Sequence, residues 1–142
     1  MEIIKEYGYE NVYLKPRKCV VTSRSECDTS VKLGKLTFDL PLYPANMRAI
    51  SSVELCKYLA KNKYFYTMHR FGIDSAAFCI DMAENDLFTS ISIGVTESSY
   101  KQINSLKLIN FIPNYITIDL ANAWSPMTQK MIKFIKDLWG NE

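Results

Sequence analysis

The sequence predicts an α/β fold: half of an eight-stranded (β/α) barrel of the TIM type, four parallel βα units behind an N-terminal arm with a β-hairpin. Three observations predict it. From residue 40, four short apolar runs alternate with four stretches of helical periodicity, the pattern of parallel βα units. The units recur about every 25 residues, compatible with about 250 residues for eight of them in a closed barrel. The turn after the first strand reads Pro44-Ala45-Asn46-Met47, with no glycine to bring backbone close to a phosphate. That argues against a doubly wound, flavodoxin-like sheet, which also wants a fifth strand. Residues 1–39 are read as the arm and 40–142 as the half-barrel, within one structural domain.

In the arm, Val12-Tyr13-Leu14 is a short apolar run ended by Pro16, and Cys19-Val20-Val21 is a second. Ser23-Arg24-Ser25-Glu26-Cys27-Asp28 is polar and looped. Residues 32–38 read as a hairpin around Gly34. The first strand of the repeat is Leu40-Pro41-Leu42-Tyr43. Ser51 or Ser52 caps a helix reaching Asn62, with Val53, Cys56 and Leu59 on one face. Residues 64–68 form the second strand, followed by His69 and Arg70. Asp74 caps the second helix, with Ile73, Ala76, Ala77, Ile80 and Ala83 inward. Residues 88–93 are the third strand, ending at Gly94, and a third helix runs from about Glu97 to Leu108 with Tyr100, Ile103 and Leu106 recurring at helical spacing. Tyr115 to Asp119 is the fourth strand, a buried run that ends in a carboxylate. Ser125 caps the last helix, with Pro126 in its first turn, where a missing N–H costs nothing. Met127, Met131, Ile135 and Leu138 mark its buried side, and Gly140 ends it.

Bulk properties narrow the function. A net charge of +2 over 142 residues gives no basis for nucleic-acid or anionic-membrane binding. No apolar run approaches the roughly 18–20 residues of a membrane span, and the N-terminus has no long apolar stretch of the signal-peptide kind. Cys19, Cys27, Cys56 and Cys79 form no CxxC pair, and a single His gives poor metal-ligand arithmetic. No metal site is expected. All four read as reduced thiols in a cytoplasmic protein.

Five local motifs then stand in an order that resembles the GMP reductases of the IMP dehydrogenase/GMP reductase family. Asn11-Val12-Tyr13-Leu14-Lys15-Pro16 resembles the family's opening element. Ser23-Arg24-Ser25-Glu26-Cys27-Asp28 resembles its S-R-[SA]-E-[CV]-D segment. Leu40-Pro41 with Pro44-Ala45-Asn46-Met47 resembles its first strand and turn, and Met68-His69-Arg70-Phe71 its second strand end. Ile118-Asp119-Leu120-Ala121-Asn122 resembles its fourth strand. The resemblance covers essentially the whole chain and matches the N-terminal half of such a barrel. The family's cysteine loop and the phosphate loops beyond it have no counterpart here, and Ala123 replaces the family's glycine after the strand-four motif.

The resemblance implies an NADPH-dependent oxidoreductase half, of a kind that deaminates GMP to IMP. It implies cofactor contacts from Ser23, Arg24, Arg70, Asp119, Leu120 and Ala121. It supplies no catalytic residue, so the half is expected to be inactive alone, and purine nucleotide binds only if the barrel is completed. Plainer roles compete. Asp119 can cap its turn or pair with Arg70, Ser23 and Arg24 can anchor the arm, and His69 can be a hydrogen-bonded strand-end residue. Asn46 and Met47 can shape the barrel mouth, and Trp124 and Trp139 can simply pack. Two further classes of function stand beside the enzyme half. One is a non-catalytic half-barrel module that self-associates or captures a full-length relative; the other is a relic that folds and binds nothing. Expected partners are therefore a second copy or a complementary C-terminal half-barrel.

Overall fold

The computed structural model describes residues 6–140; most of the N-terminal stretch inspected above for a leader lies outside them. The hairpin forms as expected from β1 (Val31–Leu33) and β2 (Leu36–Phe38), antiparallel and in register Val31 to Phe38. Gly34 opens its two-residue loop at φ +59°, a backbone conformation that glycine adopts without a Cβ penalty.

Two parallel strands follow, β3 (Ser90–Ile93) and β4 (Tyr115–Ile118), in register Ser90 to Tyr115. The expected second strand, 64–68, lies along the other side of β3. It makes one parallel bridge, Met68 to Ile91, with the Met68 N–H donating to Ser90 and its carbonyl accepting from Ser92, both at 2.9 Å. The three segments therefore lie side by side in chain order. Their helices are α1 (Val53–Lys61), α2 (Ser75–Glu84), α3 (Glu97–Leu108) and α4 (Pro126–Trp139). Ser52, Asp74 and Ser125 cap α1, α2 and α4, each side chain accepting a first-turn backbone N–H. α2 packs against α3 and α3 against α4, and Lys57 of α1 reaches Asp81 of α2 at 2.7 Å. Tyr66, Met68, Ile91 and Ile93 pack with helix residues in one core, joined at its margin by Ile116 and Ile118.

Two expectations need correction. Leu40–Tyr43 is not a strand; Leu42 and Tyr43 are 71% and 63% exposed. The ladder starts, since the Asp39 N–H donates to Lys63 at 3.0 Å. Its next donor, two residues on, is Pro41, which has no N–H. The second correction concerns α2, which buries Ser75, Phe78, Cys79 and Met82; of the residues expected inward, Ile73 and Ala76 pack at the core margin, whereas Ala77, Ile80 and Ala83 face out. The i, i+3, i+4, i+7 face chosen by the bulkiest residues, Phe78 and Met82, won over a face of small alanines.

The face of the sheet away from the helices reveals its curvature. Strands two apart in a flat sheet lie about 9.5 Å from each other. Here the 64–70 segment and β4 touch across β3 in three tiers. At the bottom the Phe65 and Tyr115 rings meet at 5.2 Å and 90°. In the middle the Thr67 and Thr117 hydroxyls are 3.4 Å apart. At the top Arg70 reaches Asp119. Below the middle and upper contacts β3 presents Ser90 and Ser92, with Gly94 just after it, because Ile91 and Ile93 alternate to the helix side; at the bottom the Phe88 ring, just before β3, meets both Phe65 and Tyr115. Small residues on the middle strand let its two neighbours close over it. The β1–β2 hairpin seals the lower end: Phe38 packs edge-on against Phe65 and Phe88, and the Tyr115 hydroxyl donates to the Leu33 carbonyl at 2.6 Å.

Candidate functional site

The upper tier lies at the C-terminal ends of the strands, the end at which parallel α/β sheets and barrels build their sites. Arg70 leaves the second segment just after its bridge to β3, and Asp119 follows β4 directly. The Asp119 backbone is pinned there, its N–H donating to Ile93 at 2.7 Å. The Arg70 Nε donates to Asp119 Oδ2 at 3.2 Å, with both side chains about one third exposed. Gly94 lies beneath: a Cβ on it would stand 3.4 Å from Arg70 Nη1 and 3.2 Å from Ser99 Oγ. Ser99 Oγ already accepts the Gly94 N–H at 3.1 Å. The Arg70 guanidinium also rests 4.6 Å from the centre of the Phe71 ring, a cation–π contact that helps hold its plane.

This pair retains hydrogen-bonding capacity. One carboxylate oxygen of Asp119 and the outer guanidinium nitrogens of Arg70 have no hydrogen bond among the described residues. A donor beside an acceptor is the pattern that a primary amide matches on both sides. The residues therefore suit the carboxamide of a nicotinamide cofactor.

His69 sits beside the pair but is only 5% exposed. Its Nδ1 accepts the Phe71 N–H at 3.1 Å, so it is a hydrogen-bonded strand-end residue. Desolvation, and secondarily the Arg48 charge, hold its pKa below the usual imidazole value, favouring the neutral ring.

The other expected contact residues are less convergent. Leu120 is half-buried, and Ala121 is exposed at the start of the loop after β4. Positive φ in non-glycine residues is confined, among the described residues, to Lys63, Asp86 and Asn110, so Ala123 carries its methyl without left-handed backbone. Trp124 is 93% exposed, which overturns its reading as a packing residue; Trp139 does pack against the core. Ser23 is the N-cap of a 3-10 turn over Arg24–Glu26. Its side chain accepts from the Ser25 N–H, and Glu26 Oε1 accepts the Ser23 N–H at 3.0 Å. The S-R-S-E motif is thus a local capping box. Arg24 is exposed, and no hydrogen bond or ion pair among the described residues joins Ser23 or Arg24 to the Arg70–Asp119 pair.

The cysteines divide in two. Burial pushes the Cys56 and Cys79 thiols up to about 12, so both stay protonated near neutral pH and are poor nucleophiles. Cys19 and Cys27 are exposed in the arm. Among the described residues no helix is long and apolar enough to cross a membrane.

Comparison with known proteins gives one consistent answer. No family model matches the chain. It is 47% identical over 136 residues to a GMP reductase of Chromobacterium violaceum, covering 96% of this chain and 43% of that protein. It is 53% identical over 132 residues to one from Oceanobacillus iheyensis, covering 92% and 40%. The chain is a relative of the GMP reductases. It spans about two fifths of the length of those relatives. The solved inosine 5′-monophosphate dehydrogenase of Legionella pneumophila superposes with a TM-score of 0.74 at 24% identity, covering 94% of this chain and 41% of that one. This second likeness shows the α/β fold, of a kind consistent with part of a (β/α) barrel.

Proposed function

We propose that this chain is the N-terminal half of a GMP reductase-like barrel and supplies the cofactor side of the site. The observation that carries the reading is the Arg70–Asp119 clasp over Gly94 at the C-terminal strand ends. Residues 40–142 form the half-barrel and the arm precedes it. The three tiers of contact across β3 support this, because side chains from alternate strands share layers inside such barrels. Arg70 and Asp119 hold the nicotinamide carboxamide of NADPH, with Leu120 and Ala121 lining its approach. Ser23 and Arg24 join from the arm, where the capping box keeps them in a defined turn. Bound NADPH supplies the hydride for conversion of GMP to IMP.

The residues in hand bind and orient; none is an activated nucleophile. Cys56 and Cys79 are protonated within the helix layer, and covalent attack on a purine needs a thiolate. The chain alone is therefore inactive, acts in the cytoplasm, and binds purine nucleotide only after the barrel is completed by a complementary C-terminal half. Calorimetric titration tests this. NADPH should give a saturable heat and GMP none, with no NADPH consumed when both are present. Silence toward NADPH at millimolar concentration would overturn the reading.

A further inference from the structure

His69, Phe71 and Arg70 form a series of contacts that ends at the Arg70–Asp119 clasp. The His69 side chain is buried, and its Nδ1 accepts the Phe71 N–H at 3.1 Å. A side-chain acceptor bonded to the backbone N–H two residues on is the arrangement of an Asx turn, made here by an imidazole. The same two residues also stack, with ring centroids 6.4 Å apart and planes 21° from parallel. The Phe71 ring in turn carries the Arg70 guanidinium 4.6 Å from its centre. Arg70 Nε then donates to Asp119 Oδ2 at 3.2 Å.

The first link depends on the charge of His69. Nδ1 accepts a hydrogen bond only in the neutral ring, whose proton is then on Nε2. A second proton turns Nδ1 into a donor facing the Phe71 donor, and the bond is lost. It also sets a cation against Arg48, the charge that acts on this ring from the segment ahead of α1. The ionisable groups of the neighbouring elements are already engaged. Asp119, after β4, is held by Arg70, and Asp74 caps α2 through the Ala76 and Ala77 N–H groups. β3 offers only Ser92 and Gly94 at this end, neither of which titrates.

We infer that His69 is a positioning residue: in its neutral form it fixes Phe71, and through Phe71 it holds the Arg70 guanidinium in the plane that meets the nicotinamide carboxamide. Protonation of His69 releases Phe71 and lets Arg70 turn off Asp119, so cofactor affinity falls in acid. Burial and the Arg48 charge keep the ring neutral near neutral pH, so the clasp stands there and opens only below the ordinary imidazole range. This inference rests on the carboxamide reading of the clasp proposed above.

Two measurements on the full chain test it. In proton–nitrogen correlation spectra, the Phe71 amide and the Arg70 Nε–H should shift along the same titration curve as the His69 ring protons. In calorimetry, NADPH affinity should fall several-fold across that curve. The ribose phosphate of NADPH titrates in a similar range, so variants carry the comparison. His69→Asn keeps an acceptor for the Phe71 N–H and has no proton to gain, so it should bind within about twofold of the native chain at neutral pH and lose the part of the acid fall that follows His69. His69→Ala should weaken binding several-fold at every pH. Adding it to Phe71→Leu should weaken binding no further, because both act through the same ring. Phe71 and Arg70 signals that stay still while His69 titrates, a His69 that stays neutral until the chain unfolds, or an asparagine variant whose acid fall matches the native one would each overturn the inference. Absence of NADPH heat from the native chain at neutral pH would overturn the cofactor reading instead, and the spectra would still decide whether His69 governs Arg70.

Discussion

Replacing Gly94 probes the closure of the second segment over β3. A Cβ at this position is 3.4 Å from Arg70 Nη1 and 3.6 Å from Cζ, close to ordinary contact. Gly94 does not have positive φ, so alanine meets no backbone strain. Its methyl asks Ser99 Oγ, at 3.2 Å, to give by a few tenths of an ångström. Gly94→Ala should therefore change stability by less than about 1 kcal/mol, the mild overpacking partly offset by the stiffer unfolded chain. Valine differs in kind. Its methyls extend about 1.5 Å beyond Cβ, one carbon–carbon bond, into the space of the guanidinium. Arg70 must then leave Asp119. Overpacking costs about 1–3 kcal/mol, and the lost ion pair, one third exposed, adds less than about 1 kcal/mol. Gly94→Val should lower stability by about 1–4 kcal/mol, roughly 3–14 °C in Tm at this chain length, and should weaken NADPH binding as well. Thermal unfolding followed by circular dichroism reads the first effect and calorimetry the second. If valine were as stable as glycine, or alanine as damaging as valine, the contact across β3 would not be the constraint described.

Further outcomes follow from the core and its polar groups. The buried Tyr66 hydroxyl donates to the Phe88 carbonyl at 2.7 Å and accepts from the Ser90 N–H at 3.2 Å, so Tyr66→Phe should cost about 1–3 kcal/mol by stranding both. The buried Ser90 Oγ has no hydrogen-bond partner among the described residues, so Ser90→Ala should be neutral or stabilising, both variants being read by urea titration. His69 has a depressed pKa in the fold, so the unfolded chain binds the extra proton first as pH falls through 6.5. Stability should decline below that pH and level off below the folded value, and His69→Gln should flatten the decline. Thiol reagent should label Cys19 and Cys27 rapidly in the native protein, and Cys56 and Cys79 only after unfolding.

Much of this architecture was legible in the residues. The helix boundaries follow from Ser52, Asp74, Ser125 and Gly140, whose capping chemistry is local and does not depend on tertiary context. The hairpin at Gly34 was legible for the same reason. What failed depended on neighbours. Leu40–Tyr43 has strand composition, but a strand needs a ladder, and Pro41 withholds the donor on one side while the other side stays open. The burial of α2 turned on which face meets the sheet, a tertiary fact. Trp124 looked like core by composition and is exposed in the segment that joins β4 to α4. At the site, Arg70 and Asp119 were both named from motifs, and their pairing was foreseen as an alternative to cofactor contact. The role of Gly94 and the serines of β3 was missed. Their signal was present: Ser90, Ser92 and Gly94 recur at period two on a strand whose other face is isoleucine.

The curvature that brings Thr67 to Thr117 is the feature from which the half-barrel reading and the Arg70–Asp119 clasp both follow. Thr67→Cys together with Thr117→Cys tests it directly. With the two hydroxyls 3.4 Å apart, a reagent that joins two thiols through a single carbon should bridge 67 to 117 within one chain, identified by peptide mass mapping. Two thiols that both react but stay unbridged in a folded chain would mean the strands lie at flat-sheet spacing, contradicting the account.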